Sequence, residues 1–420
     1  MKNQALFFEK LSELISFRTE QGVAVDGMPF GKELYDCLTW FNDLAKDFGL
    51  SVINYDNYMS EVAVGEGEEI GIIGHLDVVP AGTGWLSDPY TLTLRDGKYY
   101  ARGITDDKAP LLMCLFAIKE LLDDGVKFNK KIRLFAGCNE ESGWADVDYF
   151  KKNNSFPKWG FSPDGNFPVS YAEKGPNPVT FEFPFESKYF SEITGGRVVN
   201  AVCDYAYAVG KVDKALIEKY NLTVNGNKIE SFGKSAHGSH PELGKNAILP
   251  LLQYVRDCGE NIEGVIENLF EDKQGVTKIG NETGYATISP DLIKVENGKL
   301  IITCDFRVPA KTTTADFIPL FEKVGVPFTM RKAREPLFVP KDSELVVKLN
   351  SAYESVTGEK LEPLSLCGAT FASVFENGVA FGPELPNTDY HIHEPNEYMG
   401  ADEIPLMYDI YLKAIKELVK

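Results

Sequence analysis

The sequence lacks the features of a secreted or membrane-embedded protein. Its seven cysteines are scattered among 420 residues and form no CxxC pair, and an odd, dispersed set in a long chain is typical of reduced thiols in a cytoplasmic protein. The longest uncharged apolar stretch, at residues 109–118, is far shorter than the ~20 residues that cross a bilayer. Acidic residues near the N-terminus also interrupt any signal-peptide pattern. We therefore predict a soluble, cytoplasmic protein with no membrane partner.

The sequence also has little positive charge. Lysine and arginine number 43 against 62 aspartate and glutamate residues, which gives a net charge of −19 at pH 7. Nucleic acids and anionic membrane surfaces are bound through basic patches. Neither is therefore expected as a partner, and no repeat or low-complexity tract indicates an array or a disordered chain.

What is present is the alternation typical of an α/β fold. A prior of roughly 150 residues per domain favours two or three domains for this length. Apolar strand patterns at residues 69–73 and 131–138 flank a helical pattern at 109–122. Such alternation predicts a mostly parallel sheet with helices on both faces.

The pattern changes after residue 172, where alternating strands and isolated helices predict an α+β domain. The helix, glycine-rich turn and strand pattern of the first part returns near residue 336. We therefore predict one α/β domain formed by residues 1–172 and 335–420, and a second, inserted α+β domain over residues 173–334.

Polar side chains follow the predicted strands, at the position where open α/β sheets bind ligands. His75 ends one strand and Asp77 follows two residues later, and residues i and i+2 of an extended chain point the same way. Asp77 could then orient His75 as the outer partner of a metal ligand. Asp106 and Asp107 stand at a helix start, and Glu140–Glu141 end another strand. Taken singly, a core histidine, a capping acid or a solvated pair is the commoner explanation.

Two further groups complete the set of candidate ligands. Asp164 lies in a turn-like Ser-Pro-Asp-Gly segment, and residues 389–397 place two histidines and three acids in one loop. Nitrogen and carboxylate ligands suit a pair of Zn²⁺ ions, with one bridging carboxylate and an open position for water. No serine nucleophile elbow, phosphate-binding loop or dinucleotide fingerprint competes with this interpretation. The combination indicates a metallohydrolase.

Five of these segments, in order along the chain, resemble the motifs of the M20 family of metallopeptidases. They are GHLDVVP at 74–80, GITDDK at 103–108, NEES at 139–142, PD at 163–164 and HEPNE at 393–397. The segments at 85–90 and 106–110 look most like those of the PepV-like dipeptidase branch. The resemblance implies that the α/β domain is catalytic and that the inserted domain is an enlarged, ferredoxin-like lid.

The resemblance also implies a metal ligand at each matching position. His75 and Asp164 would bind one zinc ion. Glu141 and His393 would bind the other, and Asp106 would bridge the two ions. Mn²⁺ and Co²⁺ are the alternative metals.

Catalytic roles follow from the same resemblance. Asp77 would orient His75, and Glu140 would act first as general base and then as general acid. In the family the peptide bond after the bridging aspartate is cis, which predicts a cis bond between Asp106 and Asp107.

The lid would supply the residues that bind the substrate. Asn200, His237 and Arg307 would bind it and stabilise the oxyanion, and the loop that contains Gly368 would meet its carboxylate. The sequence departs from the usual family pattern at three places: Asn139 instead of aspartate, Cys203 instead of proline, and residues 367–373 instead of a glycine-richer run that ends in arginine.

The sequence therefore predicts a di-zinc peptidase that cleaves dipeptides or other small peptides with metal-activated water and a glutamate base. An N-acyl-amino-acid deacylase or a carboxypeptidase of the same family is one alternative, and a non-catalytic metal- or peptide-binding protein is another. Some members of the family have a small lid that dimerises and lends its histidine to the neighbouring subunit, whereas others, including the PepV branch, have an enlarged lid and work as monomers. The insertion of about 160 residues here exceeds what one βαββαβ unit needs, so the resemblance implies that His237 acts within its own chain. A monomer is thus favoured over a homodimer. His240 and His391 are expected to be structural.

Overall fold

The computed structural model describes residues 1–330 and 334–420, so three residues of the predicted lid, 331–333, lie outside the described residues. Contacts between Cα atoms divide the chain into two compact units. The first unit comprises Met1–Tyr171, Phe338–Leu364 and Thr370–Lys420, and the second comprises Ala172–Leu337 and Ser365–Ala369.

This division differs from the boundaries expected from the sequence chiefly at Ser365–Ala369, which the sequence-based division left in the first domain. Within the second unit, the Ser365 hydroxyl donates to the Thr283 carbonyl oxygen at 2.7 Å. The Lys174 N–H donates to the Leu366 carbonyl oxygen at 3.2 Å. These long-range hydrogen bonds have no signature in the local sequence pattern.

A nine-stranded sheet organises the first unit. Its four central strands run parallel, whereas Ser51–Tyr55, Met59–Val64 and Ser170–Glu173 pair antiparallel with their neighbours. The predicted α/β fold with an inserted α+β region is confirmed. The antiparallel strands at the two edges of the sheet were not predicted from the sequence. The strand order is Ser51–Tyr55, Met59–Val64, Lys131–Gly137, Glu69–His75, Trp159–Ser162, Asn377–Ala380, Ser170–Glu173 and Leu337–Phe338, with Leu364–Leu366 also paired to Ser170–Glu173.

Both faces of the central strand Glu69–His75 are covered. A Cβ atom added to Gly74 would lie 3.2 Å from the Leu111 side chain, and one added to Gly71 would lie 2.2 Å from the Phe375 ring. Because side chains alternate along a strand, these two neighbours approach from opposite faces. Between Glu69 and His75 the strand is accordingly apolar, as buried parallel strands are. The helices of this unit are Gln4–Ser16, Lys32–Asp47, Lys108–Asp123, Ala145–Phe150, Glu344–Thr357 and Glu403–Leu418, with a 3₁₀ turn at Phe371–Val374.

A second nine-stranded sheet organises the second unit. Its strands pair antiparallel with their neighbours. Its inward side chains form one apolar core with those of the helices, including Phe181, Ile302 and Leu251. The strand order is Thr223–Asn225, Lys228–Phe232, Tyr205–Gly210, Phe190–Gly195, Thr287–Glu296, Lys299–Val308, Val179–Pro184 and Phe328–Met330, with Gly175–Pro176 also paired to Lys299–Val308. The helices are Lys214–Lys219, Ile248–Asp257, Glu263–Leu269 and Ile318–Glu322, with 3₁₀ turns at Pro241–Leu243, Val276–Lys278 and Thr314–Asp316.

Three small sheets complete the secondary structure. They pair Gly280–Asn281 with Gly284–Tyr285, Gly165–Asn166 with Pro383–Glu384, and Lys98–Tyr100 with both Thr93–Arg95 and Tyr398–Gly400. Within the described part of the chain, no helix has the length and apolar character needed to span a membrane.

Candidate metal centre

The first unit brings together all five residues expected to bind metal. Three of them, His75, Glu141 and Asp164, lie at or after the carboxyl ends of parallel strands, which meet at one edge of the sheet. Asp106 precedes the helix Lys108–Asp123, and His393 comes from the loop before the short strand Tyr398–Gly400.

The distances pair these side chains around Asp106. Its Oδ1 atom lies 2.9 Å from His75 Nε2, and its Oδ2 atom lies 2.9 Å from His393 Nε2. His393 Nε2 is also 3.1 Å from Glu141 Oε1, and His75 Nε2 is 3.8 Å from Asp164 Oδ2. The two oxygens of one carboxylate therefore face two different histidines, each beside a further carboxylate.

His75 shows that this cluster fits a divalent cation. Its Nδ1 atom lies 2.8 Å from the main-chain carbonyl oxygen of Asp77, which can only accept. In the neutral ring Nδ1 therefore carries the hydrogen and Nε2 presents a lone pair. Nε2 is buried without a hydrogen bond of acceptable angle, despite the nearby Asp106 oxygen. One ligand atom each of His75, Asp106 and Glu141 lies within 4.8 Å of the others. Such a set of nitrogen and carboxylate donors is what zinc binds in proteins.

The electrostatic environment also favours a cation. Burial alone lowers the pKa of His75 and of His393. The carboxylates of Asp106 and Asp77 at His75, and of Glu141 and Asp106 at His393, outweigh burial and raise both pKa values well above the usual range. The negative charge gathered here thus stabilises positive charge at the cluster.

Asp77 contacts His75 as expected from the sequence, and it does so through its main chain as well as its side chain. Its carbonyl oxygen orients His75, whereas its carboxylate Oδ1 atom is 3.5 Å from His75 Nδ1. The carboxylate also accepts the N–H groups of Glu140 and Glu141, both at 3.0 Å. Asp77 therefore ties the histidine to the loop that bears the two glutamates.

Glu397 holds the segment that bears Asp106, a role the sequence reasoning missed. Its Oε1 atom accepts the N–H groups of Thr105 at 2.9 Å and of Asp106 at 3.3 Å. Its Oε2 atom accepts the Gly103 N–H at 3.1 Å and pairs with the Arg102 guanidinium at 2.7 Å. Glu397 is fully buried. Its place in the HEPNE segment was the only available signal.

Asp146 supports the glutamate loop in the same way, and it too was missed. Its buried carboxylate accepts the N–H groups of Cys138 at 2.8 Å and of Asn139 at 3.0 Å. Asn139 in turn accepts the Ala145 N–H at 3.0 Å and donates its amide N–H to the Ser142 hydroxyl at 2.8 Å. An ionised aspartate has no such donor, so the unusual asparagine closes the loop with an additional hydrogen bond.

The two adjacent glutamates have different neighbours. Glu141 contacts His393, whereas Glu140 Oε1 accepts the indole N–H of Trp144 at 3.1 Å. Burial, together with the charges of nearby carboxylates, raises the pKa of Glu140 to about 8. The peptide bond between Asp106 and Asp107 is cis, as predicted.

The second unit brings together the three candidate lid residues. The Gly238 N–H donates to the Asn200 carbonyl oxygen at 2.7 Å, and Ala201 forms a β-bridge with His237. The Asp305 carboxylate lies beside Gly238, so close that a Cβ atom added to this glycine would be 2.3 Å from Asp305 Oδ2. The same carboxylate accepts two N–H groups of Arg307 at 2.8–3.1 Å. The loop that bears His237 and Gly238 therefore contacts the segment of Asn200 on one side and the Asp305–Arg307 ion pair on the other.

The tautomer of His237 follows from its contacts. The Ser239 main-chain N–H donates to His237 Nδ1 at 3.2 Å, and the Ser239 hydroxyl lies 2.6 Å from the same atom. Since a main-chain N–H only donates, Nδ1 is the acceptor and Nε2 carries the hydrogen of the neutral ring. Nε2–H is a donor, as an oxyanion-binding histidine requires.

The remaining candidates are placed as follows. Gly368 lies in the second unit, and a Cβ atom added there would meet no heavy atom within 4 Å. His240 contacts Glu242 at 2.9 Å, and the His391 ring packs edge-on against Tyr398 at 5.7 Å. Structural roles for the two histidines stay a prediction.

Comparison with known proteins gives the same picture. The family described as Peptidase family M20/M25/M40 matches residues 71–417. A Beta-Ala-Xaa dipeptidase of Lactobacillus delbrueckii subsp. lactis is 32% identical over 98% of this chain and 95% of the relative. A putative dipeptidase of Bacillus subtilis (strain 168) is 28% identical over 96% and 94%. The structure of an M20 family metallo-carboxypeptidase from Sulfolobus solfataricus superposes with a TM-score of 0.64 at 15% identity, covering 98% of this chain and 99% of that one.

Fold, site and family agree on the class of protein, which is a metal-dependent hydrolase. The chain belongs to peptidase family M20/M25/M40.

Proposed function

We propose that this chain hydrolyses the peptide bond of dipeptides with a pair of zinc ions. His75 and Asp164 would hold one ion, Glu141 and His393 would hold the other, and Asp106 would contribute to both. The observation that carries the proposal is the placement of the two Asp106 oxygens, each 2.9 Å from a different histidine. Mn²⁺ and Co²⁺ accept similar ligands and are the alternative metals.

Divalent ions held by these residues would supply Lewis-acid polarisation of the scissile carbonyl and would lower the pKa of a bound water molecule. Glu140 takes a proton from the attacking water and later returns it to the leaving amine. Two contacts support the assignment of Glu140 as the base and Glu141 as the metal ligand. Glu140 contacts Trp144, whereas Glu141 contacts His393.

The second unit binds the substrate in this proposal. His237 donates its Nε2–H to the developing oxyanion, a role supported by the Ser239 contacts that keep Nδ1 an acceptor. Asn200 and Arg307 bind the substrate, and the open space at Gly368 admits its carboxylate.

The substrate class is supported by two relatives named as dipeptidases, both similar over nearly the whole chain. The peptide is the only partner proposed, and the protein acts as a monomer. A cytoplasmic location is supported by the seven cysteines, all of which are unpaired.

The decisive experiment compares substrates with the purified chain loaded with Zn²⁺, Mn²⁺ or Co²⁺. We expect free dipeptides to be cleaved and N-acetylated dipeptides, N-acetyl amino acids and longer peptides to be poor substrates. Preference for N-acetyl amino acids would make the chain a deacylase, and preference for longer peptides would make it a carboxypeptidase. Metal and peptide binding without turnover would make it a binding protein. Glu140→Gln is the matched inactive control.

A further inference from the structure

We infer that Trp144 is a positioning residue for Glu140: its indole N–H holds Oε1 and thereby leaves Oε2 to take and return the proton. The inference rests on the proposed function, since it assumes that Glu140 is the base. It adds a residue to the machinery and assigns separate tasks to the two oxygens of one carboxylate.

The hydrogen bond itself is unambiguous in direction. Trp144 Nε1 lies 3.1 Å from Glu140 Oε1, and an indole nitrogen can only donate. When Glu140 is ionised and ready to act as a base, this hydrogen bond is stronger than one between neutral groups. The terminal torsion of a glutamate is otherwise broad, so this bond restricts a carboxylate that would turn freely.

The indole is held firmly enough to impose that restriction. Trp144 is 8% exposed and packs its ring against Phe371, with centroids 5.0 Å apart and an interplanar angle of 67°. Its main-chain N–H donates to the Asn139 carbonyl oxygen at 2.8 Å. Its φ of 64° is a conformation that bulky side chains rarely adopt, and one that persists only where surrounding contacts enforce it.

Glu140 is consequently fixed at both ends. Asp77 accepts its main-chain N–H at 3.0 Å, and Trp144 holds one oxygen of its side chain. In the reaction, the water oxygen forms a bond to the carbonyl carbon while its proton passes to Oε2. The C–N bond then breaks, and the proton passes from Oε2 to the departing nitrogen. Positioning of this kind matters because a misplacement of ~1 Å can cost ~10²-fold in rate.

Trp144→Phe tests the inference, since phenylalanine keeps a ring against Phe371 but lacks the donor. We expect kcat to fall by roughly 10- to 100-fold with KM and metal content unchanged. The matched control is Trp40→Phe, because Trp40 also donates its indole N–H to a carboxylate, Glu13 Oε2 at 2.9 Å. That variant should keep wild-type kinetics.

A double variant separates positioning from packing. If Trp144 acts through Glu140, adding Trp144→Phe to Glu140→Gln should lower kcat no further, because residues that act as one unit are not additive. A merely structural tryptophan would lower the rate of both backgrounds by the same factor, and that result would overturn the inference.

The indole signal supplies a measurement independent of activity. The chain has only four tryptophans, so the ¹H–¹⁵N spectrum of the indole groups is simple, and Trp144→Phe identifies one cross-peak. Glu140→Gln should move that peak upfield and leave the Trp40 peak in place, with and without metal. An unmoved Trp144 peak would refute the hydrogen bond. Full activity of Glu140→Gln would instead refute the proposed base, so the two failures are distinguishable.

Discussion

The two units of this chain assemble polar residues in different ways. In the first, side chains from five distant segments converge with an excess of negative charge, and buried carboxylates that accept main-chain N–H groups hold their loops. In the second, a β-bridge and a short loop link Asn200 and His237, and Arg307 is neutralised by Asp305. The first cluster gathers more carboxylates than cationic side chains, whereas Arg307 and Asp305 of the second form a balanced pair.

Metal removal should therefore affect one unit only, and it should produce the largest effect. Chelation is expected to abolish activity, and His75→Ala or Asp106→Ala to lower metal content. Hydrogen exchange should rise at residues 103–107 and 391–397 of the metal-free protein, because the repelling carboxylates there lose their counter-ions. Exchange at residues 235–239 and 303–308 should stay unchanged. Equal changes in both units, or full activity without metal, would contradict the comparison.

The two adjacent glutamates of the first unit should separate catalysis from metal binding. Glu140→Gln is expected to keep near-normal metal content and to lose ~10²–10⁴-fold in kcat, the usual effect of removing a general base. Glu141→Gln should lose metal, because Glu141 contacts His393. Kinetics combined with elemental analysis of both variants provides the check, and the reverse pattern would mean that the two roles are exchanged.

The second unit should influence turnover without influencing metal. His237→Ala is expected to lower kcat by ~10²–10³-fold, as the loss of one oxyanion donor does, with metal content unchanged. Mixing His237→Ala with Glu140→Ala chains under exchange conditions tests whether His237 serves its own chain. No activity should return. Recovery would show that a neighbouring chain supplies the histidine.

Gly368 should affect binding without affecting stability. An alanine Cβ there meets no protein atom within 4 Å, so the unfolding temperature should not change. A substrate carboxylate in that space would clash, and KM should rise by roughly tenfold, since an overpacked methyl group costs about 1–3 kcal/mol. Gly74→Ala is the contrasting control, because its Cβ would lie 2.2 Å from an Asp107 oxygen and should destabilise the fold. Unchanged KM in Gly368→Ala would remove Gly368 from the substrate site.

The smallest expected effect concerns a buried carboxylate in the second unit. Burial raises the pKa of Asp291 to about 8, against the opposing influence of the Ser289 hydroxyl. The folded chain thus keeps a proton that the unfolded chain loses near pH 4, and stability falls as pH rises from about 4 to 8. Asp291→Asn lacks this penalty. Its unfolding temperature should exceed that of the wild type by about 2–4 °C at pH 8.5 and by less at pH 4.5. A pH-independent difference would contradict this account.

The positions of the candidate metal ligands could be predicted because they obey a rule of sheet geometry. His75 and Glu141 follow apolar strands, and parallel strands end at one edge of the sheet. The order of the motifs along the chain then matched a known family. Neither inference required a contact between particular atoms.

The groups that hold the ligands could not be predicted. Glu397 contacts Arg102 across 295 residues of sequence, and Asp146 accepts N–H groups from the end of a strand rather than from its own helix alone. A buried carboxylate in a loop has the same local signature whether it caps a turn or holds a distant segment. Asp77 illustrates this limit, since its spacing from His75 predicts their contact but not that its carboxylate also holds the glutamate loop.

The sequence by itself determined the family, the β/α alternation and the residue types of the candidate site, because periodicity and motif order are local properties of a chain. Tertiary structure alone decided which oxygen of Asp106 faces which histidine, that Trp144 donates to Glu140, and that Asp305 neutralises Arg307. These outcomes depend on hydrogen-bond directions and on desolvated charge. Both arise only when segments that are distant in sequence are brought within a few ångströms.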